Sequence, residues 1–383
     1  MPPAAPASPA AATKPRKALA QMSQWQLIRR RFARHRLGRI ALDILVCFYA
    51  LALLAEFFAP QDPLRRDLDY IFCPPQPPRF SWEHGLHSRA LLRETDPVTL
   101  RQVYREDPER TIPLAFFTRG DPYRLWGLIP AERHFLGVDR AAFAARHPGL
   151  PVPTVHFLGA DKYGRDILAR VIAGSRISLS IGLLSILVTL TLGILIGGVS
   201  GYVGGGLDNF IQRSMEIVNS FPRLPLWLAL GAIMPREWSA MAVYFAITIV
   251  LSLLGWTQLA RVVRGKILSL REEDYAVAAR LLGASHARIL FRHLLPGFTS
   301  HIIVVVTLSI PGMILGETAL SFLGLGLRAP IVSWGVMLQD CMSVQIIASA
   351  PWLLTPVLAI ILTVMSFNFL GDALRDAADP YER

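Results

Sequence analysis

Residues 177–200 read ISLSIGLLSILVTLTLGILIGGVS, a run without a single charge. A helix needs about 20 mostly apolar residues to cross a hydrocarbon core of about 30 Å. Lipid offers no partner to backbone N–H and C=O groups, so the run must satisfy its own hydrogen bonds as a helix. Ile177–Ser200 is therefore expected to span a membrane. Gly193, Gly197 and Gly201 are spaced by four, which puts them on one helix face and lets a neighbouring helix come close. Gly201-Tyr-Val-Gly-Gly-Gly206 is expected to form the turn that follows.

The same pattern recurs on either side. Ile40–Phe58 predicts an earlier span, with Asp43 and Glu56 near its two ends. Met241–Val263, Ile302–Leu320 and Trp352–Leu370 predict later ones. Phe210–Met234 is interrupted by Pro222, Arg223 and Pro225, which predicts a broken or kinked helix facing a protein-lined cavity. The expected fold is all-α: a polytopic membrane protein of six transmembrane helices. Composition agrees, with 52% hydrophobic and 17% charged residues against about a quarter charged in soluble domains. A formal charge of +11 would suggest nucleic acid in a soluble chain. Here the basic residues flank apolar spans, where lipid head groups and orientation account for them. The lipid bilayer is the expected partner, and nucleic acid is not.

The spans divide the chain. Residues 1–39 comprise an Ala- and Pro-rich tail, disordered by composition to about Ala20, then a basic amphipathic helix from Ser23 to Arg39 on the cytoplasmic surface. Residues 40–58 form the first span, and residues 59–176 an extracytoplasmic insertion rich in Pro, Arg and aromatics. A connection this long folds or functions, so turns are expected at CPPQPP and strands near Thr111–Phe117 and Val152–Leu158. Its arginines do not contradict the orientation, because the positive-inside rule counts short loops. His134-Phe-Leu-Gly-Val-Asp-Arg140 is echoed by His156-Phe-Leu-Gly-Ala-Asp-Lys162, which predicts a paired strand-turn motif. Residues 177–383 make a five-helix core with a cytoplasmic loop at 264–297. Cys47, Cys73 and Cys341 form no CxxC pair or metal cluster, so no metal or cofactor is expected. Cys73 and Cys341 are expected as unpaired thiols in preference to a disulfide.

Arg264–Gly297 carries the function. It is too polar to cross, with Arg264, Lys266, Arg271, Arg280, Arg288 and Arg292, a density that places it inside. Tyr275, Ala278, Ala279 and Leu282, then Ile289, Leu290 and Leu294, recur at helical spacing. Gly283 divides two short helices, and Pro296 precedes the next span. The small residues Ala278, Ala279 and Gly283 offer a surface that a partner can grip. From spacing alone, an interfacial hairpin with no partner is an equal alternative.

Asp274-Tyr-Ala-Val-Ala-Ala-Arg-Leu-Leu-Gly283, continuing to His293-Leu-Leu-Pro296, resembles the EAA loop of ABC importer permeases. Val277 stands where the family's Glu is usual, and His293 where Ile is usual. Phe157-Leu-Gly-Ala-Asp-Lys-Tyr-Gly-Arg-Asp-Ile-Leu-Ala-Arg170 is similar to the FxGTDxxGRDxxSR signature of dipeptide/oligopeptide/nickel-type permeases. Glu317-Thr-Ala-Leu-Ser-Phe-Leu-Gly-Leu-Gly326 with Ser333-Trp-Gly335, Gly201-Tyr-Val-Gly-Gly with Asp208, and the ending Arg375-Asp-Ala-Ala-Asp-Pro380 resemble the same group. Within it they match the C-type partner.

The resemblance implies the type I ABC importer fold in a bacterial inner membrane, with both termini cytoplasmic. It implies a homologous second permease, two cytoplasmic ATP-binding subunits and an extracytoplasmic solute-binding protein. On its terms Asp274, Tyr275, Ala278, Ala279, Arg280, Gly283 and Pro296 couple to the ATPase, while Gly159, Asp161, Gly164, Arg165 and Asp166 form an outer-mouth motif. The cargo would be a peptide or a similar small solute such as an oligosaccharide, an opine or a nickel complex.

Physical roles stand beside the resemblance. Asp161 is expected to cap a helix beginning near Lys162, with Arg165, Asp166, Arg170 and Arg176 anchoring it at the outer interface. Glu317, near the end of a span, is expected beside water. No GxxxxGK[ST] loop, nucleophile elbow or HExxH occurs, so no catalytic residue is assigned and ATP would be hydrolysed by other subunits. A secondary transporter or channel working alone would need mid-span charges and inverted repeats, which the spans lack. A scaffold whose insertion is the functional part is the third reading.

Overall fold

The computed structural model describes residues 24–95, 97, 102–235 and 237–378. The tail of residues 1–20 and the terminal Asp379-Pro380 lie outside the described residues. The longer helices are α1 (Gln24–Phe32), α2 (Arg36–Leu53), α3 (Ile167–Val203), α4 (Gly205–Ser220), α5 (Arg223–Ala232), α6 (Ala240–Leu270), α7 (Asp274–Leu281), α8 (Thr299–Phe322) and α9 (Thr355–Ala378). Among the described residues, four stretches are long and apolar enough to cross a membrane: Ile167–Val203, Ala240–Leu270, His286–Phe322 and Pro351–Ala378. These contain the second, fourth, fifth and sixth expected spans.

The first and third spans depart from plain helices. The basic segment is not one helix to Arg39, because the chain turns after α1 and His35 restarts it by accepting from the Gly38 N–H at 3.0 Å. Arg36, Arg39 and Asp43 thus belong to α2, which breaks at Leu54 before a last turn, Ala55–Phe58. The third span is broken, as expected: Phe221-Pro222 separates α4 from α5, and neither is long enough to cross alone. A proline has no N–H to continue the ladder of the preceding helix.

α3 starts ten residues before the apolar run, because the Asp166 carboxylate accepts from the Ala169 N–H at 2.8 Å and caps it. It continues through Gly201, so the turn expected at Gly201–Gly206 is instead confined to Gly204 and Gly205, both at positive φ. The Gly193–Gly201 face meets α6. A Cβ on Gly197 would collide with the backbone of Ala260, and Gly193 and Gly201 lie against Leu259 and Arg264. Both numbers climb together, so α3 and α6 run parallel. α8 and the segment leading into it pack antiparallel to α3, with Ile310 and Ile314 of α8 on Gly182 and Leu290 of that segment on Gly198. α9 packs antiparallel to α2, with Ala373 on Gly38.

The insertion holds a larger β element than the short strands expected within a mostly helical fold. Strands β1 (Arg79–Ser81), β2 (Gly85–Thr95), β3 (Gln102–Leu125) and β4 (Ile129–Val138) form an antiparallel sheet in that order. Its inner face, with Ile112 and Leu114, packs on Phe143, Val155 and Phe157. Short-range turns and alternating apolar residues are what a one-sided sheet needs, and the expected strand at Thr111–Phe117 lies within β3. Val152–Leu158 is not a strand, and the two echoed segments do not pair. The first lies in β4, whereas the second has only an isolated Ala160–Asp166 bridge. Cys73 and Cys341 are buried free thiols, bonded to the carbonyls of Pro74 and Leu353.

Candidate functional site

α7 stands at the end of α6 as a helix with an inner and an outer side. Ala276 is fully buried and joins Ile267, Ile289, Leu290 and Leu294 in one apolar cluster, with Ala279 half-buried against it. Asp274, Tyr275, Ala278, Arg280 and Gly283 are exposed together. Leu281 and Leu282 are 83% and 88% exposed, an apolar tip of which the sequence reading named Leu282 as a member of the helical pattern and left out Leu281. Gly283 has φ +80°, and a side chain there would meet nothing within 4 Å. This left-handed turn favours glycine and sends the chain into His286–Arg288. Pro296, also exposed, lies in the turn that begins α8. Ala279 is the expected surface residue that proves partly internal.

The segments flanking α7 are fixed to the spans. Arg271 donates to the carbonyls of Gly201 and Tyr202 at 3.1 and 3.3 Å, closing the C-terminus of α3 where backbone carbonyls lack partners. The Tyr202 hydroxyl lies 3.2 Å from His286 Nδ1. Displacement of α7 therefore acts on α3 and α6 together.

At the opposite end of α3, about 55 Å away for 37 residues, the outer-mouth residues form one buried knot. Asp161 does not cap a helix at Lys162. Its carboxylate instead accepts from the N–H groups of Tyr163 and Arg165, at 2.8 and 3.1 Å, and pairs with Arg165 Nε at 2.6 Å. Gly159 and Gly164, at φ +83° and +69°, let this turn fold back against Trp352 and the carbonyl of Asp67. Arg165, Asp166 and Arg170 are buried and not laid out along an interface as expected. Lys162 reaches Asp340 at 2.9 Å, and Trp352 donates to the Ala160 carbonyl at 3.1 Å. Arg176 alone is partly exposed, clamped on Glu56. The knot ties the insertion, the start of α3 and residues 334–354 into one unit.

Glu317 is not beside water: it is fully buried. It accepts from Ser178, Ser321 and Ser333 at 3.2, 2.9 and 2.8 Å. Ser178 in turn accepts from the Trp334 N–H, so α3, α8 and Trp334 are joined through one carboxyl group. The sequence signal was an acid flanked by small hydroxyl residues within an apolar run. Among the described residues no group of three or more His, Cys, Asp or Glu could hold a metal ion.

Comparison with known proteins places this architecture. Residues 190–383 match the family described as binding-protein-dependent transport system inner membrane component, and residues 23–78 match the N-terminal TM domain of oligopeptide transport permease C. The oligopeptide transport system permease protein OppC of Haemophilus influenzae is 39% identical over 60% of this chain and 71% of its own. The dipeptide transport system permease protein DppC of Bacillus subtilis is 39% identical over 60% of this chain and 70% of its own. The glutathione transport system permease protein GsiD of Pectobacterium atrosepticum is 41% identical over 59% and 73%. The chain belongs to the family of binding-protein-dependent transport system inner membrane components.

Proposed function

We propose that this chain is the C-type permease subunit of an ATP-driven importer of peptides or similar small solutes in a bacterial inner membrane. It pairs with a homologous permease, receives solute from a binding protein on the insertion side, and is driven by two cytoplasmic ATP-binding subunits. The parallel course of α3 and α6 supports six crossings, since a chain that descends twice in neighbouring helices must rise between them. The broken α4–α5 pair is the segment available to do so. With α2 rising, both termini are then cytoplasmic.

The observation that carries the coupling role is α7: an exposed Tyr275–Ala278–Leu282 side on a helix whose opposite side is rooted in the α6–α8 core. ATPase closure pushes on that side, and the rigid root turns the push into rocking of α3 and α6. The apolar tip is costly in water and suits a groove in a partner.

The test is uptake and ATPase activity of the reconstituted complex with native chain and with Gly283→Asp. The side chain at 283 enters open space and Asp tolerates left-handed backbone, so the chain still inserts. Loss of ATPase association together with uptake is expected. Survival of both would sink the docking assignment.

A further inference from the structure

The β3–β4 hairpin ends in a turn that sequence preferences argue against. Leu125-Trp126-Gly127-Leu128 closes with Leu128 N–H on the Leu125 carbonyl at 3.0 Å, and Trp126 and Gly127 have φ +53° and +74°. Two positive φ values define a type I′ turn, where Asn, Asp or Gly is preferred at the first position. A tryptophan held there is strained by about 1–3 kcal/mol, so some interaction of the indole offsets the cost. Part of it is visible: Trp126 Nε1 donates to the Leu53 carbonyl at 2.8 Å, the last residue of α2.

That bond fixes the height of the tip. α2 has 18 residues and is about 27 Å long, close to the hydrocarbon thickness of about 30 Å. With its basic start, Arg36 and Arg39, at the inner boundary, Leu53 lies at the outer one. The tip at that level is apolar and uncovered: Trp126 is 50%, Leu128 79% and Ile129 53% exposed. Further out, Phe135 stacks on Phe58 and on the exposed Phe116 and Phe117, with ring centroids 5.3 to 5.9 Å apart. His134 reaches the Ala59 carbonyl, so the hairpin climbs beside the chain from Leu53 to Ala59.

Between the tip and that aromatic cluster the hairpin is basic. Arg119 and Arg133 face each other directly across the ladder, an arrangement that costs stability unless an anion lies between. Together with Arg124 they line a groove of about 510 Å³ that Glu132 also borders, three cations against one acid, and among the described residues no acidic group forms an ion pair with any of the three. Arg124 pairs with Pro130 beside the tip, and the Arg119–Arg133 pair lies four residues of β4 beyond Ile129, about 13 Å along the strand, which spreads the cations from the edge of the hydrocarbon into the head groups. An apolar tip followed along the strands by cationic residues is the order of a bilayer interface.

We propose that the β3–β4 hairpin is a membrane anchor: Trp126, Leu128 and Ile129 enter the outer leaflet, and Arg119, Arg124 and Arg133 bind lipid phosphates. The insertion then lies on the membrane beside α2, not free in the extracytoplasmic space. This rests on α2 crossing the bilayer, as in the reading above.

The test uses the full-length chain with one fluorescent label, reconstituted in phosphatidylethanolamine/phosphatidylglycerol vesicles. The buried Cys73 and Cys341 are replaced by Ala, and the label is placed on native Cys47 of α2 or, with Cys47 also replaced, at Leu128→Cys, Ile129→Cys or Trp82→Cys. Trp82 is 97% exposed at the far end of the sheet. Doxyl-chain lipids are expected to quench the labels at 47, 128 and 129 several-fold more than the label at 82, with iodide showing the reverse order. Quenching of 128 and 129 by iodide, with 47 still quenched by lipid, would overturn the anchor and leave the spans intact. Protection of 128 and 129 from both quenchers would also overturn it, by placing a protein there. A label at 47 quenched by iodide would overturn the spanning reading of α2 itself. If one labelled tip variant does not fold, the other carries the measurement.

Discussion

Arg264 donates to Asp208 through Nε and Nη2, each 2.6 Å from a different carboxylate oxygen. The pair joins the start of α4 to α6 beside the point where α3 ends, and Ser200 of α3 donates to the same carboxylate. Three helices thus meet on one acid just above α7.

Replacing Asp208 by Asn leaves the guanidinium without its counter-charge. Arg264 is 29% exposed, so solvent screens part of the loss, and a destabilisation of about 1–2 kcal/mol is expected. Uptake should fall more than ATP binding by the partner subunits, because the pair links α7 to the spans. The exchange Asp208→Arg with Arg264→Asp restores part of the uptake. Thermal unfolding and uptake in vesicles, measured on the single and double variants, would show whether the effect belongs to the pair.

The contact of Gly197 with Ala260 leaves no room for a methyl group. Gly197→Ala must separate α3 from α6 or bend one of them, at a cost of about 1–3 kcal/mol. Gly265, whose outward side meets nothing within 4 Å, should tolerate Ala. A lower unfolding temperature for the first variant and an unchanged one for the second is the expected outcome. Equal behaviour would remove the close-approach account.

Glu317 gathers three hydroxyl donors in a fully buried site. Glu317→Leu strips the acceptor from Ser178, Ser321 and Ser333, and each buried group left unpaired costs about 1–3 kcal/mol. Glu317→Gln keeps one carbonyl acceptor and should be distinctly milder. Protein yield and melting temperature in detergent compare the two, and a Leu variant as stable as the Gln variant would contradict the hydroxyl network.

Burial pushes the Cys73 thiol well above its ordinary range, with Asp166 and Asp67 adding to the effect. The folded state therefore favours the neutral thiol. Its contribution to stability is complete below the ordinary thiol value of about 8.5 and is lost as pH rises above it. At neutral pH a maleimide should leave Cys73 unmodified in the folded chain and react with it after denaturation. Rapid labelling of the native protein at Cys73 would show that the knot around Gly159–Ala160 is open.

The second, fourth, fifth and sixth expected spans were legible in the sequence because lipid imposes a single requirement, length times apolarity, on every crossing. The helical face of Gly193, Gly197 and Gly201, the break near Pro222 and the Gly283 turn followed from backbone geometry, which is local. The sequence also placed Ala278 and Gly283 on one surface. It could not decide that Ala279 turns inward, because that depends on Ile289 and Leu290 arriving from the next segment.

Asp161 and Asp166 illustrate the same division. Both have the chemistry of a helix cap, and only the fold, by wrapping Arg165 and Arg170 around the first and leaving the second at the start of α3, assigned the cap to Asp166. Glu317 was visible as an acid in an apolar run. Its burial was decided by Ser178, 139 residues away in the chain. One strand of the insertion was legible at Thr111–Phe117, but the extent and order of the sheet were not, because strand pairing is a relation between distant segments, whereas a membrane helix satisfies itself. Apolarity and turn chemistry are properties of neighbours in sequence. Burial, ion pairing and the height of Trp126 against Leu53 are properties of neighbours in space, and only the tertiary structure could supply them.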